Sequence, residues 1–185
     1  MFGGCCIIKT WKNHVAGMSR RLHYELQDVF LDSGKDINVM EFRKLTISDL
    51  PSLLELYKQL DEYDEQSTFE QSEMVWKEIE ENSNIQYFGA IENGKVVSTC
   101  YAVYIPNLTR GNRGICFIEN VVTDKEHRNC GMASKVIDMV VDFAKEHHCY
   151  KVILQSGIAR TKAHQLYENK GFNGASKKAF DLRLE

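Results

Sequence analysis

The segment at residues 117–133 constrains the fold more than any other part of this chain. An apolar, strand-like run occupies residues 115–122 and is interrupted only by Glu119 and Asn120. A polar turn with a glycine at Gly131 follows, and a helical pattern begins there. Runs rich in β-branched and aromatic residues favour strands, whereas the turn residues end them. The segment is therefore predicted to be a strand that leads through a tight turn into a helix.

The residues after this turn support a β-α-β unit. Apolar side chains recur at helical spacing, with charged residues on the other faces; they are Ala133, Val136, Ile137, Val140 and Ala144. After the helix, the run 152–154 is apolar on both faces, which is typical of a parallel strand covered by helices. The second strand is therefore expected to pair in parallel with the first.

The turn at residues 128–133 also carries a chemical signal. The first backbone N–H groups of a helix have no partner within the helix, and the helix dipole adds partial positive charge there. Together they favour a bound anion, best a phosphate or pyrophosphate. The turn predicts a site for a phosphorylated cofactor, and the alternative is an ordinary strand–helix turn whose glycine allows close packing.

A second motif lies further along the chain, at residues 163–172. Ala163, Leu166 and Tyr167 fall on one side of a helix that Gly171 is expected to end. Together with the Arg128-x-x-Gly-x-Ala turn upstream, this motif resembles the GNAT superfamily of acyl-CoA-dependent N-acetyltransferases. The family carries an Arg/Gln-x-x-Gly-x-Gly/Ala turn and a later Ala-x-x-Phe/Leu-Tyr-x-x-x-Gly-Phe segment in this order. The resemblance covers roughly residues 40–185.

The resemblance and the element pattern together predict one α/β (α+β) domain, GNAT-like, at residues 40–185. Its sheet is expected to be mixed, twisted and mostly antiparallel, with helices on both faces. The pair Asn93-Gly94 predicts a hairpin. Alternating apolar residues at Phe180, Leu182 and Leu184 predict a final strand.

Residues 1–39 are predicted to be an extension with one amphipathic helix. Its apolar positions fit one helical face; they are Val15, Met18, Leu22, Leu26, Val29 and Phe30. The helix would pack on the domain or on a second subunit, and in the second case the protein would be a homodimer. The alternative is a poorly ordered tail before a genuine start at Met40.

Composition narrows the function classes. The formal net charge is −3 and the pI is about 6.1, which argue against a nucleic-acid partner held by charge. No apolar run approaches the roughly 20 residues that span a bilayer, so no membrane association is expected. The six cysteines have neither metal-binding nor small-disulfide spacing. We therefore expect a cytoplasmic protein without a metal ion.

The resemblance implies acetyl-CoA as the cosubstrate and a set of contacts to it. Backbone groups in the turn would bind the pyrophosphate; these residues are Arg128, Asn129, Cys130, Gly131, Met132, Ala133 and Ser134. Backbone amides of Val121, Val122 and Thr123 would hold the pantetheine arm, and one near Val122 would stabilise the oxyanion. Asn129 and Cys130 depart from the usual form, in which Gly and a basic residue are common.

Glu119 and Tyr167 are the candidate catalytic residues. A carboxylate within an apolar strand loses solvation, which tends to raise its pKa toward the range of a general base. In the family the equivalent Glu often deprotonates the amine, whereas the alternative is a salt-bridged Glu on a solvent-facing side. Tyr167 would protonate the departing thiolate of coenzyme A, and the alternative is a core tyrosine with a satisfied hydroxyl.

The acceptor is expected to be a small primary amine. The acidic stretch 61–82 favours a cationic amine, although a solvated helix face explains the same charges. A glucosamine-6-phosphate-type amino sugar is the second hypothesis, because residues 148–154 are similar to the strand entry of such enzymes. Arg110 and Arg113 would then bind the phosphate. A third hypothesis is an acyl-CoA-binding sensor without catalysis.

Overall fold

The computed structural model describes residues 26–30, 38–60 and 67–184. The strands are β1 (Leu26–Phe30), β2 (Asn38–Lys44), β3 (Ile85–Glu92), β4 (Lys95–Ile105), β5 (Ile115–Thr123) and β6 (Lys151–Leu154). The helices are α1 (Leu50–Tyr57), α2 (Phe69–Glu81), α3 (Met132–Glu146) and α4 (Thr161–Asn169). The six strands form one sheet in chain order, antiparallel throughout except for the parallel pair β5 and β6. The predicted mixed, mostly antiparallel sheet and the β-α-β unit are confirmed.

The hairpin between β3 and β4 is confirmed at the predicted position. Asn93 and Gly94 form its turn with φ angles of 49° and 76°. Two successive positive φ angles give a turn whose twist matches that of the strands on either side, and Asn-Gly adopts it readily. The long β4 strand that follows is therefore held in register with β3.

An ion pair that the sequence analysis missed fixes the start of α1. The guanidinium of Arg43 donates two hydrogen bonds to the Asp49 carboxylate, at 2.7 and 2.9 Å. Asp49 is only 5% exposed and also accepts from the Thr46 backbone N–H at 2.8 Å. Burial by itself would raise the pKa of Asp49, but the bonds from Arg43 and Thr46 outweigh it and lower that pKa. The pair anchors α1 to the end of β2.

The helices cover both faces of the sheet, as predicted. On one face, α3 packs on the middle strands through an apolar stripe; its buried members are Met132, Val136, Ile137, Val140, Phe143 and Ala144. On the other face, α1 and α2 pack over β3 and β4 around Leu53 and Trp76. Tyr167 of α4 joins the core on the α3 side. No helix within the described ranges is long and apolar enough to cross a membrane.

The structure contradicts the predicted helix where its residues are described. Leu26–Phe30 is a strand that pairs with β2, from Leu26 opposite Phe42 to Phe30 opposite Asn38. Val15, Met18 and Leu22 lie outside the described residues. The apolar positions in this segment fit a short strand as well as a helix, and a partner strand distant in sequence decides between them.

The predicted final strand is also absent from the described chain. Residues 177–184 have no strand pairing. Phe180, Leu182 and Leu184 are 83%, 86% and 89% exposed. Their alternating pattern is that of a strand, but the segment pairs with no strand among the described residues.

Candidate active site

The sheet opens between β5 and β6. Their parallel pairing runs from Ile115 opposite Lys151 to Ile118 opposite Leu154 and ends there, although β5 continues to Thr123. Beyond Ile118, the backbone of β5 has no strand neighbour on this side within the described chain. Backbone polar groups that lose a strand partner bind water or a ligand. Val121, Val122 and Thr123, the residues predicted to hold the pantetheine arm, all lie in this open part.

A β-bulge shapes β5 at the point where the two strands separate. Glu119 is opposite Tyr101 and Val122 is opposite Thr99, so two residues of β5, Asn120 and Val121, are inserted across from one of β4. Asn120 has a φ of 51°, in the left-handed region. A bulge bends the strand and redirects its side chains, and bulges are frequent at functional sites.

Glu119 lies beside this bulge, on the face that α1 and α2 cover. It is directly opposite Tyr101, and residues directly opposite each other project to the same face of a sheet. Its side chain is partly buried. In the part of the chain that the structure describes, the carboxylate makes no ion pair or hydrogen bond. The salt bridge of the alternative interpretation is therefore absent from that part.

Tyr167 reaches the same region from α4. The side chain is 9% exposed and packs edge-on against Phe172, with 6.1 Å between the ring centroids. Burial raises the pKa of the Tyr167 hydroxyl, as do the nearby Cys100 thiol and Glu119 carboxylate, against the opposite effect of Arg160. The phenol therefore stays protonated at neutral pH. Both candidate catalytic groups lie close enough to interact electrostatically.

The predicted phosphate turn has the geometry of an anion site. Gly131 precedes α3 with a φ of 79°, and no side chain caps the helix start. Asn129 is also left-handed, with a φ of 63°. The side chain of Arg128 donates to the Thr123 carbonyl at 3.1 Å, which ties the turn to the end of β5. The first N–H groups of α3 therefore lack a side-chain partner in the described chain, as a bound pyrophosphate would require.

A polar network around His127, beside this turn, was not predicted from the sequence. The two ring nitrogens of His127 lie 2.8 Å from the Glu92 carboxylate and 3.2 Å from that of Asp124. Desolvation would lower the pKa of His127, but the bonds to the two carboxylates outweigh it and raise that pKa. Gln59, just after α1, donates to Asp124 at 2.7 Å. The network joins the phosphate turn to the β3–β4 hairpin and to α1.

A row of aromatic side chains leads across the sheet toward Glu119. Trp76 of α2 contacts Tyr87 with ring centroids 5.2 Å apart, and Tyr87 stacks on Tyr101 at 4.7 Å. Tyr101 is in turn near enough to Glu119 for the carboxylate to raise its pKa, after the larger effect of burial. The row connects the helices α1 and α2 with the candidate base.

Among the described residues, two donors on this face are buried without a hydrogen bond. They are the hydroxyl of Tyr57 and the indole N–H of Trp76. The Tyr57 hydroxyl lies near Asn120 and Tyr87, but in neither case with the geometry of a hydrogen bond. Both side chains line one cavity of about 220 Å³ between α1 and α2. Buried donors without partners are rare in folded proteins and point to a ligand or water.

Two groups of charged residues were predicted to bind the acceptor: the acidic stretch 61–82 and the pair Arg110 and Arg113. The α2 carboxylates of Glu70, Glu78, Glu80 and Glu81 are exposed, as the solvated-face interpretation requires; residues 61–66 lie outside the described chain. Arg110 and Arg113 are in the loop before β5. The Arg113 side chain donates to the Arg110 carbonyl at 3.1 Å and lies over the Tyr150 ring, 5.9 Å from its centroid. A phosphate contact from these arginines stays a prediction.

No three His, Cys, Asp or Glu side chains in the described ranges are arranged to hold a metal ion. Of the cysteines with described side chains, Cys100 and Cys116 are buried, Cys149 is partly buried, Cys130 is exposed, and all four are free thiols.

Comparison with known proteins identifies the family. A family model described as the acetyltransferase (GNAT) family matches residues 50–172, and the chain belongs to this family. A curated glucosamine 6-phosphate N-acetyltransferase of Trypanosoma brucei brucei is 32% identical over 137 residues, 74% of this chain and 91% of that protein. The resemblance stated from the two motifs is confirmed, and the chain is an acetyltransferase of this family.

Two solved structures are similar over most of this chain. An acetyltransferase of Trypanosoma brucei is 30% identical with a TM-score of 0.68, covering 78% of this chain and 99% of that one. Glucosamine-6-phosphate N-acetyltransferase of Arabidopsis thaliana is 26% identical with a TM-score of 0.70, covering 77% of this chain and 97% of that one.

Proposed function

We propose that this chain transfers the acetyl group of acetyl-CoA to the primary amine of a small acceptor by direct attack in a ternary complex. The observation that carries the proposal is the opening between β5 and β6. Glu119 and Tyr167 approach it from β5 and α4, and the phosphate turn follows directly after β5. A cosubstrate seated in this opening would have its thioester between a base and an acid.

Glu119 is the general base of this proposal. It accepts the proton that the amine loses as its nitrogen attacks the thioester carbon, directly or through one water. Its carboxylate carries no ion pair in the described chain, so it is free to accept a proton. A backbone N–H in the open stretch Val121–Thr123 would stabilise the negative charge that develops on the carbonyl oxygen. One such donor typically contributes about 3–4 kcal/mol to the transition state.

Tyr167 is the general acid. When the C–S bond breaks, its hydroxyl gives a proton to the sulfur of the leaving coenzyme A, and the amide product keeps the acetyl group. Burial keeps the phenol protonated until that step, since it raises the Tyr167 pKa. Arg160 lies near enough to favour the transient phenolate, and the proton returns from solvent through the opening.

The first turn of α3 holds the pyrophosphate in this proposal. Backbone N–H groups of residues 129–134 would donate to it, a role for which the left-handed Gly131 exposes the helix start. Side-chain identity matters little for such contacts. The unusual Asn129 and Cys130 therefore do not count against the site.

The acceptor that we propose first is an amino sugar. The names of two similar proteins specify glucosamine 6-phosphate, and the exposed α2 carboxylates remove part of the reason to favour a cationic amine. Arg160 is a cation at the mouth of the site, where it donates to the Leu60 carbonyl beyond α1 at 3.2 Å. It would attract an acceptor phosphate. The unpartnered Tyr57 and Trp76 donors would bind acceptor oxygens on the α1–α2 side.

An acceptor panel with acetyl-CoA tests the function. The panel contains glucosamine 6-phosphate, glucosamine, an aminoglycoside and spermidine, and the readouts are thiol release and the mass of the product. We expect the highest kcat/KM with glucosamine 6-phosphate and a clear loss with glucosamine. A preference for spermidine would restore the cationic-amine hypothesis. Acetyl-CoA binding without turnover of any amine would support the sensor hypothesis instead.

Arg160→Gln separates phosphate recognition from the rest of the site. We expect this variant to raise KM for glucosamine 6-phosphate about tenfold, the loss of one charge-assisted contact. KM for glucosamine, which lacks the phosphate, should change little. Equal increases in KM for both acceptors would mean that Arg160 does not bind the phosphate.

A further inference from the structure

The side chain of Gln59 joins the end of α1 to the residues that follow β5. Its amide N–H donates to the Asp124 carboxylate at 2.7 Å, and its amide oxygen accepts the Lys125 backbone N–H at 3.0 Å. A carboxylate can only accept and a backbone N–H can only donate, so these partners fix the orientation of the Gln59 amide. We call the two bonds together the Gln59 clamp.

The clamp lies directly beyond the open part of β5. Within the described chain, the stretch Val121–Thr123 has a neighbouring strand only on its β4 side, and Asp124 is the next residue. The Asp124 backbone N–H donates to the Val97 carbonyl of β4 at 2.8 Å. Segments with few partners open more easily than segments that are paired on both sides. The clamp therefore gives the end of the open stretch a second support, which comes from α1.

The two oxygens of the Asp124 carboxylate have separate partners. Oδ2 accepts from Gln59, whereas Oδ1 accepts the Glu126 backbone N–H at 2.9 Å and lies 3.2 Å from a ring nitrogen of His127. The bond from Gln59 is the largest cause that lowers the pKa of Asp124. One oxygen thus contacts α1 and the other shapes the turn, so a substitution can change the first contact and keep the second.

The turn of α1 that carries Gln59 also borders the acceptor side of the site. The Gln59 N–H donates to the Leu56 carbonyl at 3.0 Å and the Leu60 N–H to the Tyr57 carbonyl at 2.9 Å, so the helical turn continues past Tyr57. Tyr57 lines the cavity between α1 and α2, and the Leu60 carbonyl accepts from Arg160. Groups that we propose for acceptor binding are therefore on, or bonded to, the same turn as the clamp.

We propose that Gln59 and Asp124 are positioning residues for acetyl transfer. The clamp holds the end of the open stretch, and the phosphate turn that follows it, at a fixed place relative to α1. Acetyl-CoA seated on β5 and α3 then presents its thioester carbon to an amine held between α1 and Glu119. Reacting atoms must lie about 3–3.5 Å apart, and a misplacement of about 1 Å can lower the rate about 100-fold. This inference rests on the proposed function.

An exchange of the two hydrogen-bonding groups tests the clamp. Gln59→Glu places two carboxylates face to face, and Asp124→Asn opposes two N–H donors, so each single variant breaks the clamp. In the double variant, the amide at position 124 donates to the carboxylate at position 59, whose other oxygen still accepts the Lys125 N–H. The amide oxygen at position 124 still faces the turn, and the net charge is that of the wild type. The double variant therefore restores the clamp with its groups exchanged.

We expect kcat, measured with saturating acetyl-CoA and the best acceptor of the panel, to fall at least ~10-fold in each single variant. It should recover to within about threefold of the wild type in the double variant, because the two positions act as a pair. Gln59→Met removes both bonds without adding a charge and should lower kcat similarly. Glu126→Gln, a carboxylate-to-amide change at an exposed neighbour, is the control and should leave kcat within about twofold.

The dissociation constant of acetyl-CoA separates positioning from cosubstrate binding. Titration calorimetry without an acceptor should give a value within about threefold of the wild type for every variant, since the clamp lies outside the residues expected to contact acetyl-CoA. Urea unfolding of each variant accompanies the kinetics. A merely structural role would lower the free energy of unfolding and leave kcat of the folded enzyme unchanged.

The inference is overturned by smaller losses of kcat in the single variants, by a double variant no faster than they are, or by a loss confined to acetyl-CoA affinity. Failure of the proposed function has a different signature, because the wild type would then acetylate no amine of the panel.

Discussion

Replacement of Tyr57 by Phe should make the protein more stable. The Tyr57 hydroxyl is buried and has no hydrogen bond to any residue that the structure describes. An unsatisfied buried polar group costs about 1–3 kcal/mol, and Phe removes that group while it keeps the ring. We expect the free energy of unfolding to increase by about 1–2 kcal/mol. For a chain of 185 residues, this corresponds to a rise in Tm of about 2–8 °C.

The same variant should bind the acceptor less well. If the hydroxyl is kept because an acceptor oxygen completes its hydrogen bonding, its loss costs the net value of one such bond, about 0.5–1.5 kcal/mol. KM for the acceptor should therefore rise about 2- to 13-fold. KM for acetyl-CoA should not change, because its pyrophosphate is expected at the start of α3, whose side chains pack in a different core cluster from Tyr57. A gain in stability with a loss in recognition is the pattern of a functional site.

Urea unfolding and steady-state kinetics on the purified chain measure both effects. Tyr101→Phe is the matched control, since Tyr101 is on the same aromatic row but its hydroxyl is not among the buried, unpartnered groups. The control should show no gain in stability. If Tyr57→Phe lowers the free energy of unfolding by 1 kcal/mol or more, the hydroxyl has a partner in solution, such as Asn120, and the reasoning fails.

Four further predictions address the rest of the site. Glu119→Gln should lower kcat/KM by about 10²–10⁴-fold and flatten the acidic limb of the pH profile; an unaltered profile at full rate would make Glu119 structural. Tyr167→Phe should lower kcat with little change in KM for acetyl-CoA, and the loss should be smaller for a thioester with a more acidic thiol. Normal turnover would mean that water or another group is the acid. Acetyl-CoA should stabilise the wild type by about 2.7 kcal/mol at a hundredfold excess over Kd, and Gly131→Glu should abolish that stabilisation. Gly131→Ala introduces the same backbone strain without the charge and should keep most of the stabilisation. Equal losses in the two variants would exclude a charge effect. Protonated His127 stabilises the fold, and because its pKa is raised in the folded state this contribution is complete below about pH 6.5 and is lost as the pH rises through the folded-state pKa. Urea unfolding should therefore show that His127→Gln lowers the free energy of unfolding more at pH 5.5 than at pH 8.5. An equal loss at both pH values would contradict the linkage.

Local features were predicted well because their causes are local. Asn93-Gly94 adopts positive φ angles whatever surrounds it, so the hairpin followed from two residues. The α3 stripe around Val136 and Val140 repeats at the helical period, which required burial of that face. The spacing between Gly131 and Tyr167 carried the family resemblance, which the family model confirmed.

The two errors in secondary structure concern strands whose partners are distant. Leu26–Phe30 was assigned to a helix because apolar spacing over a few residues fits both structures, and only β2 makes it a strand. The alternation at Phe180, Leu182 and Leu184 was interpreted as a strand of this sheet. Alternation indicates which side of a strand is apolar, but it does not indicate with which strand it pairs. Strand pairing is a contact between segments and is not encoded in either one alone.

By itself the sequence determined the order of elements from β2 to α4, the glycine turn before α3 and the family, because helical periodicity, turn residues and short motifs act over a few positions. Only the tertiary structure decided how these parts meet. The bulge at Asn120 depends on the register between β4 and β5, and the opening depends on where β6 stops pairing. The Arg43–Asp49 pair, and the Tyr57 hydroxyl without a partner in the described chain, are likewise properties of packing. Each depends on how side chains of different elements are brought together, and no periodic pattern in the sequence records that arrangement.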